Sequence, residues 1–471
     1  MSIQLISGCS SQPVPLSFIV KDDETEVWNP LIAQFNAKHP NIIIRPDVLK
    51  QDSRKGTDRS KEALISAFTD KDKKPYDLLY LDIIWVPEFV EQGWLKDLTK
   101  EFPPKDLKKE FLFSEVDNGC YGGKKGCDDG KLYRVPFRTD IGLLYYRKDL
   151  LAKIQAKPPE TFDDLKKIVK RYQTNEPKLD KNFWGYLWQG QGEALVAMFT
   201  EVLHGYGGYW IKKDWIRKEK VVDHDEQCQG NNPKQPDKCK VVGLDEPQAI
   251  QAVQFLYDTI YDSKISPSDL LSFTDPDTDI LKIFLAEPDA VFMRNWPFTW
   301  AKAYEAEPKF SGNGKIDFIP MVHAEGNTSG ASKGGWGFGV AEKTKYPHEA
   351  IEAIRFFSSA AIQRQFALNY SSLPSRRRLF FDPQIVARYR HYPKLLALID
   401  RKEKKDEWIA RPRIPQYTKA SCILQKYLRK ALNPSNGYLP PDKAMGEAAQ
   451  KTRELLDRET QKLSPQEMLK C

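Results

Sequence analysis

Asp82, Asp140, Trp188, Gln189, Tyr206, Trp296, Trp336 and Arg376 carry the side chains most able to do chemistry. Each stands at the end of an apolar run or in a polar loop, outside any clear amphipathic stripe. Carboxylate, carboxamide and guanidinium groups are planar and grip neighbouring hydroxyls in pairs. Indole and phenol rings add flat apolar faces. Together they suit a hydroxylated ring held in a cleft. Each residue also has a rival reading. A carboxylate at a strand end, as at Asp82 or Asp140, can cap the next helix, and Trp188 or Trp296 can be core. Trp336 stands among Gly334, Gly335, Gly337 and Gly339, where small neighbours allow close approach or serve a hinge alone. Arg376 is followed by Arg377 and Arg378, which leaves its register open. Glu24 ends the acidic run Asp22-Asp-Glu24 before a helix, where carboxylates suit the positive dipole end with or without a ligand.

The elements that must position these groups alternate. Residues 16–20 read as a strand; Val27, Leu31, Ile32 and Phe35 recur at helical spacing; residues 42–44 return as a strand. Residues 77–82 form a strand that ends on Asp82, and a helix over 86–92 closes at Gly93. Ligands of open α/β sheets bind beyond such carboxyl ends. A turn led by Pro136 is expected to deliver Arg138, Thr139 and Asp140 onto an apolar run, residues 141–146, read as one buried strand. Helices follow over 161–172, 193–203, 247–261, 280–285, 347–359 and 443–463, with strands at 290–293 and 316–321. The Gly-rich residues 330–340 are expected to cross between regions.

At 471 residues the chain exceeds one typical core, so two lobes are expected. The excess of 72 basic over 65 acidic residues is dispersed along the chain, which argues against a nucleic-acid stripe. No apolar run is long enough to span a bilayer. Six of the seven cysteines allow 15 connectivities, among which a preference for the shortest loops pairs Cys120 with Cys127, Cys228 with Cys239, and Cys422 with Cys471. Their spacings do not fit a zinc site. No metal or other cofactor is expected. Residues 275–279 hint at a calcium loop but lack its Gly and terminal Glu, so a turn and helix cap is expected there.

Three motifs carry a resemblance: Val-Pro-Phe-Arg-Thr-Asp-Ile-Gly-Leu-Leu-Tyr-Tyr-Arg-Lys-Asp-Leu-Leu at 135–151, Asp-Leu-Leu-Tyr-Leu-Asp-Ile-Ile-Trp-Val-Pro-Glu-Phe-Val-Glu-Gln-Gly-Trp-Leu at 77–95, and Met-Arg-Asn-Trp-Pro at 293–297. They resemble, in the expected order, the family 1 extracellular solute-binding proteins of sugar ABC importers, such as maltose- and trehalose-binding proteins. The resemblance covers about residues 16–378. It implies an α/β fold of two lobes with three hinge crossings: residues 14–139 plus 338–367, and residues 140–337 plus 368–471, behind a leader and tether at 1–13. It also implies that Asp82, Asp140, Trp296, Trp336 and Arg376 reach the solute, with Glu24 allowed to touch it. Implied partners are a di- or oligosaccharide or a glycosylated compatible solute (maltose, trehalose, sucrose or glucosylglycerol), a permease pair and a cytoplasmic ATPase. The protein is expected to be a monomer.

Leu-Ile-Ser-Gly-Cys at 5–9 looks like a lipobox, so Cys9 is expected to be acylated and to hold the chain at the outer face of the bacterial cytoplasmic membrane. Only eight residues precede it, short of a full leader, which implies a misassigned start or a trimmed chain. The rivals are a glycosidase using Asp82 and Asp140 as acid and base and a lipoprotein adhesin or peptide receptor.

Overall fold

The computed structural model describes residues 12–49, 57–123, 126–175, 183–212, 241–286, 290–306, 314–370, 372–400, 408–409, 411–435, 437–457 and 467. Cys9, Cys228, Cys239 and Cys471 lie outside them.

The chain opens as its alternation predicts. Strand β1 (Val14–Lys21) feeds the helix Thr25–Lys38, whose Trp28, Leu31, Ile32 and Phe35 are buried at helical spacing. Strand β2 (Ile42–Leu49) then pairs parallel with β1. After the helix Thr57–Thr69, β3 (Leu78–Asp82) lies parallel to β1 with all five residues buried. It runs through a short 3-10 turn, Ile83–Trp85, into the helix Val86–Glu91. Gly93 follows at φ 70°, the left-handed conformation that ends a helix. Strands β4 (Cys120–Tyr121) and β5 (Lys131–Leu132) form a two-stranded ribbon around the disulfide Cys120–Cys127, as the spacing suggests. Cys422 is also disulfide-bonded.

The segment 135–147 departs from expectation. It forms two strands, β6 (Val135–Ile141) and β7 (Leu143–Arg147), in different sheets, with Gly142 alone between them. Pro136 sits inside β6 and leads no turn. Proline lacks the N–H that a regular ladder needs, and the register of β6 against its neighbour shifts by a residue just there, a bulge that tolerates it. Gly142 is required sterically: a Cβ would lie 1.9 Å from Glu201 Oε1 and 2.4 Å from Arg294 Nη2.

Strands β8 (Trp184–Leu187), β9 (Ala290–Asn295) and β10 (Ile316–Ile319) join β7 in a sheet ordered β10-β7-β9-β8. The Gly-rich run becomes β11 (Ala331–Val340), ten buried residues between β6 and β3 of the first sheet. Two short strands complete that sheet: β12 (Leu373–Pro374) on β6 and β13 (Trp408–Ile409) on β11. The helices Tyr417–Leu432 and Pro441–Asp457 pack on each other and on Pro247–Ile260.

The buried apolar residues form one cluster that runs around both sheets. Around the first, Trp28 meets Phe18, Tyr80, Phe137 and Phe366 with ring centroids 5.2–5.5 Å apart. Such aromatic pairs are each worth about 0.5–1.5 kcal/mol beyond the area they bury. Around the second, Tyr186, Leu187, Phe292 and Met293 of the sheet are buried against Leu195, Phe199 and Leu256 of the helices. Part of the tryptophan excess is therefore structural.

Candidate functional site

Because β6 passes directly into β7, the residues just before Gly142 stand at the seam between the sheets. Asp140 is one of them, opposite Gly334 of β11. A Cβ at Gly334 would lie 3.1 Å from Asp140 Cβ and 3.7 Å from Trp296 Cζ3, so the aspartate and the indole share one side of the seam. No described residue donates a hydrogen bond to the Asp140 carboxylate. Burial pushes its pKa up to about 7; Arg138 opposes the rise, while Asp82, Glu115 and Asp277 add to it.

On the side of the first sheet, Lys21 Nζ lies 2.9 Å from Glu24, whose other oxygen accepts from Trp28 Nε1 at 3.1 Å. Arg138 Nη2 is 3.7 Å from Glu24. Burial alone would raise the Glu24 pKa, but Lys21 and Arg138 outweigh it and hold the carboxyl below its ordinary range. The same two cations flank Trp336, at 5.7 Å and 5.4 Å from its ring centroid, and Tyr80 stacks on it at 4.9 Å. Asp82, at the end of β3, accepts from the Ile84 N–H at 3.2 Å and from Arg411 Nη2 at 3.4 Å. It caps the turn, as one reading of that carboxylate has it, and is buried.

On the side of the second sheet, Gln189 Nε2 donates to Asp277 at 3.0 Å and to Asn295 at 3.2 Å, and its Oε1 accepts from Arg294 at 3.3 Å. The Arg294 guanidinium lies 4.1 Å from the centroid of Trp296, covering one face of the indole. The Trp296 backbone is held by Asn295 at 2.8 Å and by the Tyr145 hydroxyl at 3.2 Å. Burial raises the pKa of Asp277, with Gln189, Arg294 and, from the first sheet, Lys21 opposing.

The structure thus brings Glu24, Asp82, Asp140, Gln189, Trp296 and Trp336 into one neighbourhood. Three candidates stand elsewhere. Trp188 is fully buried, its Nε1 donating to Thr259 at 3.1 Å and Ser266 at 3.2 Å, which is the core reading. Tyr206 stacks on Phe162 at 4.7 Å behind the second sheet. Arg376 donates to the Ser358 carbonyl at 2.8 Å, pairs with Glu110 and lies over Phe111; its register among three arginines gave no sign of this.

Four residues escaped the sequence reading: Lys21, Asp277, Glu193 and Arg411. Asp277 lies in the first turn of the helix Pro276–Leu285, as a cap would, yet its carboxylate accepts from Gln189. Arg411, 5% exposed, joins Asp82 to Glu193 at 3.1 Å, and Glu193 also accepts from Tyr417 at 2.6 Å and from Ser421. Arg411 follows a charged segment, and nothing in its spacing pointed to a carboxylate more than 300 residues away. No cluster of three metal-ligating side chains occurs among the described residues, and no described helix is long and apolar enough to cross a membrane.

Two sheets joined through a seam lined with acids, amides and indoles define a two-lobed α/β binding protein. The chain belongs to the bacterial extracellular solute-binding protein family, which it matches over residues 21–364. It is 29% identical over 312 residues to a probable ABC transporter-binding protein of Deinococcus radiodurans, a match covering 66% of this chain and 64% of that one. A maltotriose-binding protein of Pyrococcus abyssi is 22% identical, over 80% of this chain and 69% of its own. Among solved structures, maltose-bound T. maritima MalE3 superposes with a TM-score of 0.75 at 27% identity, covering 94% of this chain and all of that one. The family and the fold are those of binding proteins.

Proposed function

We propose that the protein is the extracytoplasmic receptor of an ABC importer, capturing a di- or oligosaccharide, or a glycosylated compatible solute, between its lobes. The lobes keep the expected bounds, residues 14–139 plus 338–367 and residues 140–337 plus 368–471, as approximate limits, since β6, β11, β12 and β13 of the first sheet reach past them. The observation that carries the reading is Asp140, an acceptor with no described donor, beside Trp296 at the seam. A sugar hydroxyl supplies the missing donor, and the indole face not covered by Arg294 supplies the stacking surface. Glu24, Lys21 and Arg138 offer polar groups from one lobe, and Gln189 and Asp277 from the other. A solute that bridges them favours the closed arrangement, because only that arrangement contacts it from both sides. A permease pair with its ATPase is the partner that then receives the solute, and acylation at Cys9 keeps the receptor at the membrane. The protein acts as a monomer.

The glycosidase reading is less well supported. Asp82, one of its two carboxylates, is held by Arg411 and by the Ile84 N–H and is almost inaccessible, leaving it poorly placed to exchange a proton with a substrate.

Calorimetry against maltose, trehalose, sucrose and glucosylglycerol tests the proposal. One of them is expected to bind at a single site with Kd of about 10 μM or below, roughly −7 kcal/mol. Asp140→Asn is expected to weaken it about 10–100-fold, the worth of a hydrogen bond to a charged acceptor. Absence of heat with every saccharide would sink the proposal, and release of a cleaved sugar would favour the enzyme.

A further inference from the structure

Two features outside the lining of the cleft meet at one side chain. Arg413 donates from Nη1 to the Asp117 carbonyl at 3.2 Å, and from Nη2 to the Asn118 carbonyl at 3.2 Å and to the Cys120 carbonyl. Those carbonyls close the helix Phe113–Asp117, and the last of them belongs to the disulfide Cys120–Cys127. The helix is fixed to the hinge as well. Its fully buried Glu115 accepts from Arg134 at 3.2 Å and from Thr139 of β6 at 2.7 Å, and lies 3.3 Å from Lys333 of β11. The anchor of Arg413 is therefore tied to the hinge strands on one side and covalently to its own loop on the other.

Arg411 is two residues before Arg413. Strand β13 runs along β11 with Trp408 opposite Ala331 and Ile409 opposite Ser332. Strand β3 comes from the other end, with Asp82 opposite Trp336. Because β6 and Gly142 occupy the far edge of β11, β13 and β3 approach each other along the same edge, leaving residues 333–335 between them. The chain beyond β13 enters that interval, and Arg411 meets Asp82 there.

We propose that Arg413 and the Cys120–Cys127 bridge are positioning elements for the cleft: by clamping the segment after β13 to the hinge-bound helix, they hold Arg411 between Asp82 and Glu193 and so set the affinity for the solute. An unclamped arginine samples many rotamers, and ordering it costs binding free energy. The clamp moves that cost into folding. Arg413 keeps a buried Nε without a partner, an arrangement that favours orientation over stability.

The affinity arm of the proposal rests on the sugar-binding reading, so the experiment has two readouts on the full chain. Hydrogen exchange without ligand, at the amides of Trp408, Ile409 and Arg411, is expected to quicken at least tenfold in Arg413→Ala and in the double variant Cys120→Ser with Cys127→Ser. Calorimetry with maltose is expected to show about a tenfold loss of affinity in each, shrinking below about twofold when Arg411→Ala is already present, as for residues acting through one another. Arg413→Lys, which keeps a cation on the carbonyls, is expected to recover part of the loss. Unchanged exchange, or a loss undiminished in the Arg411→Ala background, overturns the proposal. No heat from the unmutated chain with maltose, trehalose, sucrose or glucosylglycerol, with the exchange response intact, counts against the sugar reading alone and supports the positioning role.

Discussion

Glu201 and Asp140 lie on opposite sides of Gly142, and the chain treats the two carboxylates differently. Glu201 is fully buried and saturated. Arg294 meets both its oxygens, the Ser332 N–H donates at 2.8 Å, and Gly142 makes room for the pair. Asp140, half-buried a few residues away, receives no hydrogen bond from the described residues, and its neighbours Asp82, Glu115 and Asp277 add negative charge. Burying a carboxylate costs several kcal/mol unless donors replace the water. At Glu201 the protein supplies the donors, and the result is a rigid joint behind the hinge. At Asp140 the described residues supply none, and on the proposed function a solute hydroxyl does. Glu201 thus serves structure, and on the proposed function the donor-less Asp140 is the carboxylate left for the solute.

The largest effect that sharpens this contrast is at the joint. Glu201→Ala leaves Arg294 charged, buried and unpaired, and is expected to destabilise the fold by about 3–5 kcal/mol. Urea denaturation followed by tryptophan fluorescence measures this. Asp140→Ala is expected to leave stability unchanged or slightly raised, because it removes an unsatisfied charge. Equal losses from the two variants would erase the distinction between them.

A smaller effect separates two indoles of the second lobe. Trp188→Phe removes two buried hydrogen-bond contacts and leaves Thr259 and Ser266 short of a donor, so about 1–3 kcal/mol of stability is expected to go, with solute affinity unchanged. Trp296→Ala is expected to do the reverse, costing affinity about tenfold and little stability, since its ring is only partly covered. Calorimetry and thermal melting on both variants decide the matter; an affinity loss in Trp188→Phe as large as in Trp296→Ala would return Trp188 to the site.

These contrasts also show what the sequence could carry. The opening alternation and the end of β3 at Asp82 were legible, because period and strand-end placement are local properties, whereas β9 runs two residues past the expected 290–293, to Asn295. Pro136 misled because a bulge tolerates proline, which looks in sequence like a turn. The break at Gly142 was invisible because its cause, the Glu201–Arg294 pair, lies 59 and 152 residues further on. Arg411, Asp277 and Lys21 were unreadable for the same reason: Asp82, Gln189 and the Trp336 ring lie 329, 88 and 315 residues from them, although Lys21 also pairs locally with Glu24.

The smallest and most specific test uses pH. Burial raises the Asp140 pKa from its ordinary range to about 7. A raised carboxylate pKa means that the folded, unliganded chain holds a proton the unfolded chain would release. The associated stability is present below the ordinary carboxylate range and is lost as pH rises through about 7. A solute whose hydroxyls donate to Asp140 favours the charged form, lowers that pKa and expels the proton. Affinity for the solute is therefore expected to fall as pH drops below about 7, approaching a tenfold loss per pH unit while one proton is released on binding. Asp82 and Asp277, also raised by burial, add to the slope at its acid end. Glu24 does not contribute near neutrality, because Lys21 and Arg138 hold it ionised. Calorimetry at pH 6 in buffers of different ionisation heat counts the protons directly. About one released by the unmutated protein and fewer by Asp140→Asn would confirm Asp140 as the unsatisfied acceptor, whereas no proton released by either would place the solute on groups that are already paired.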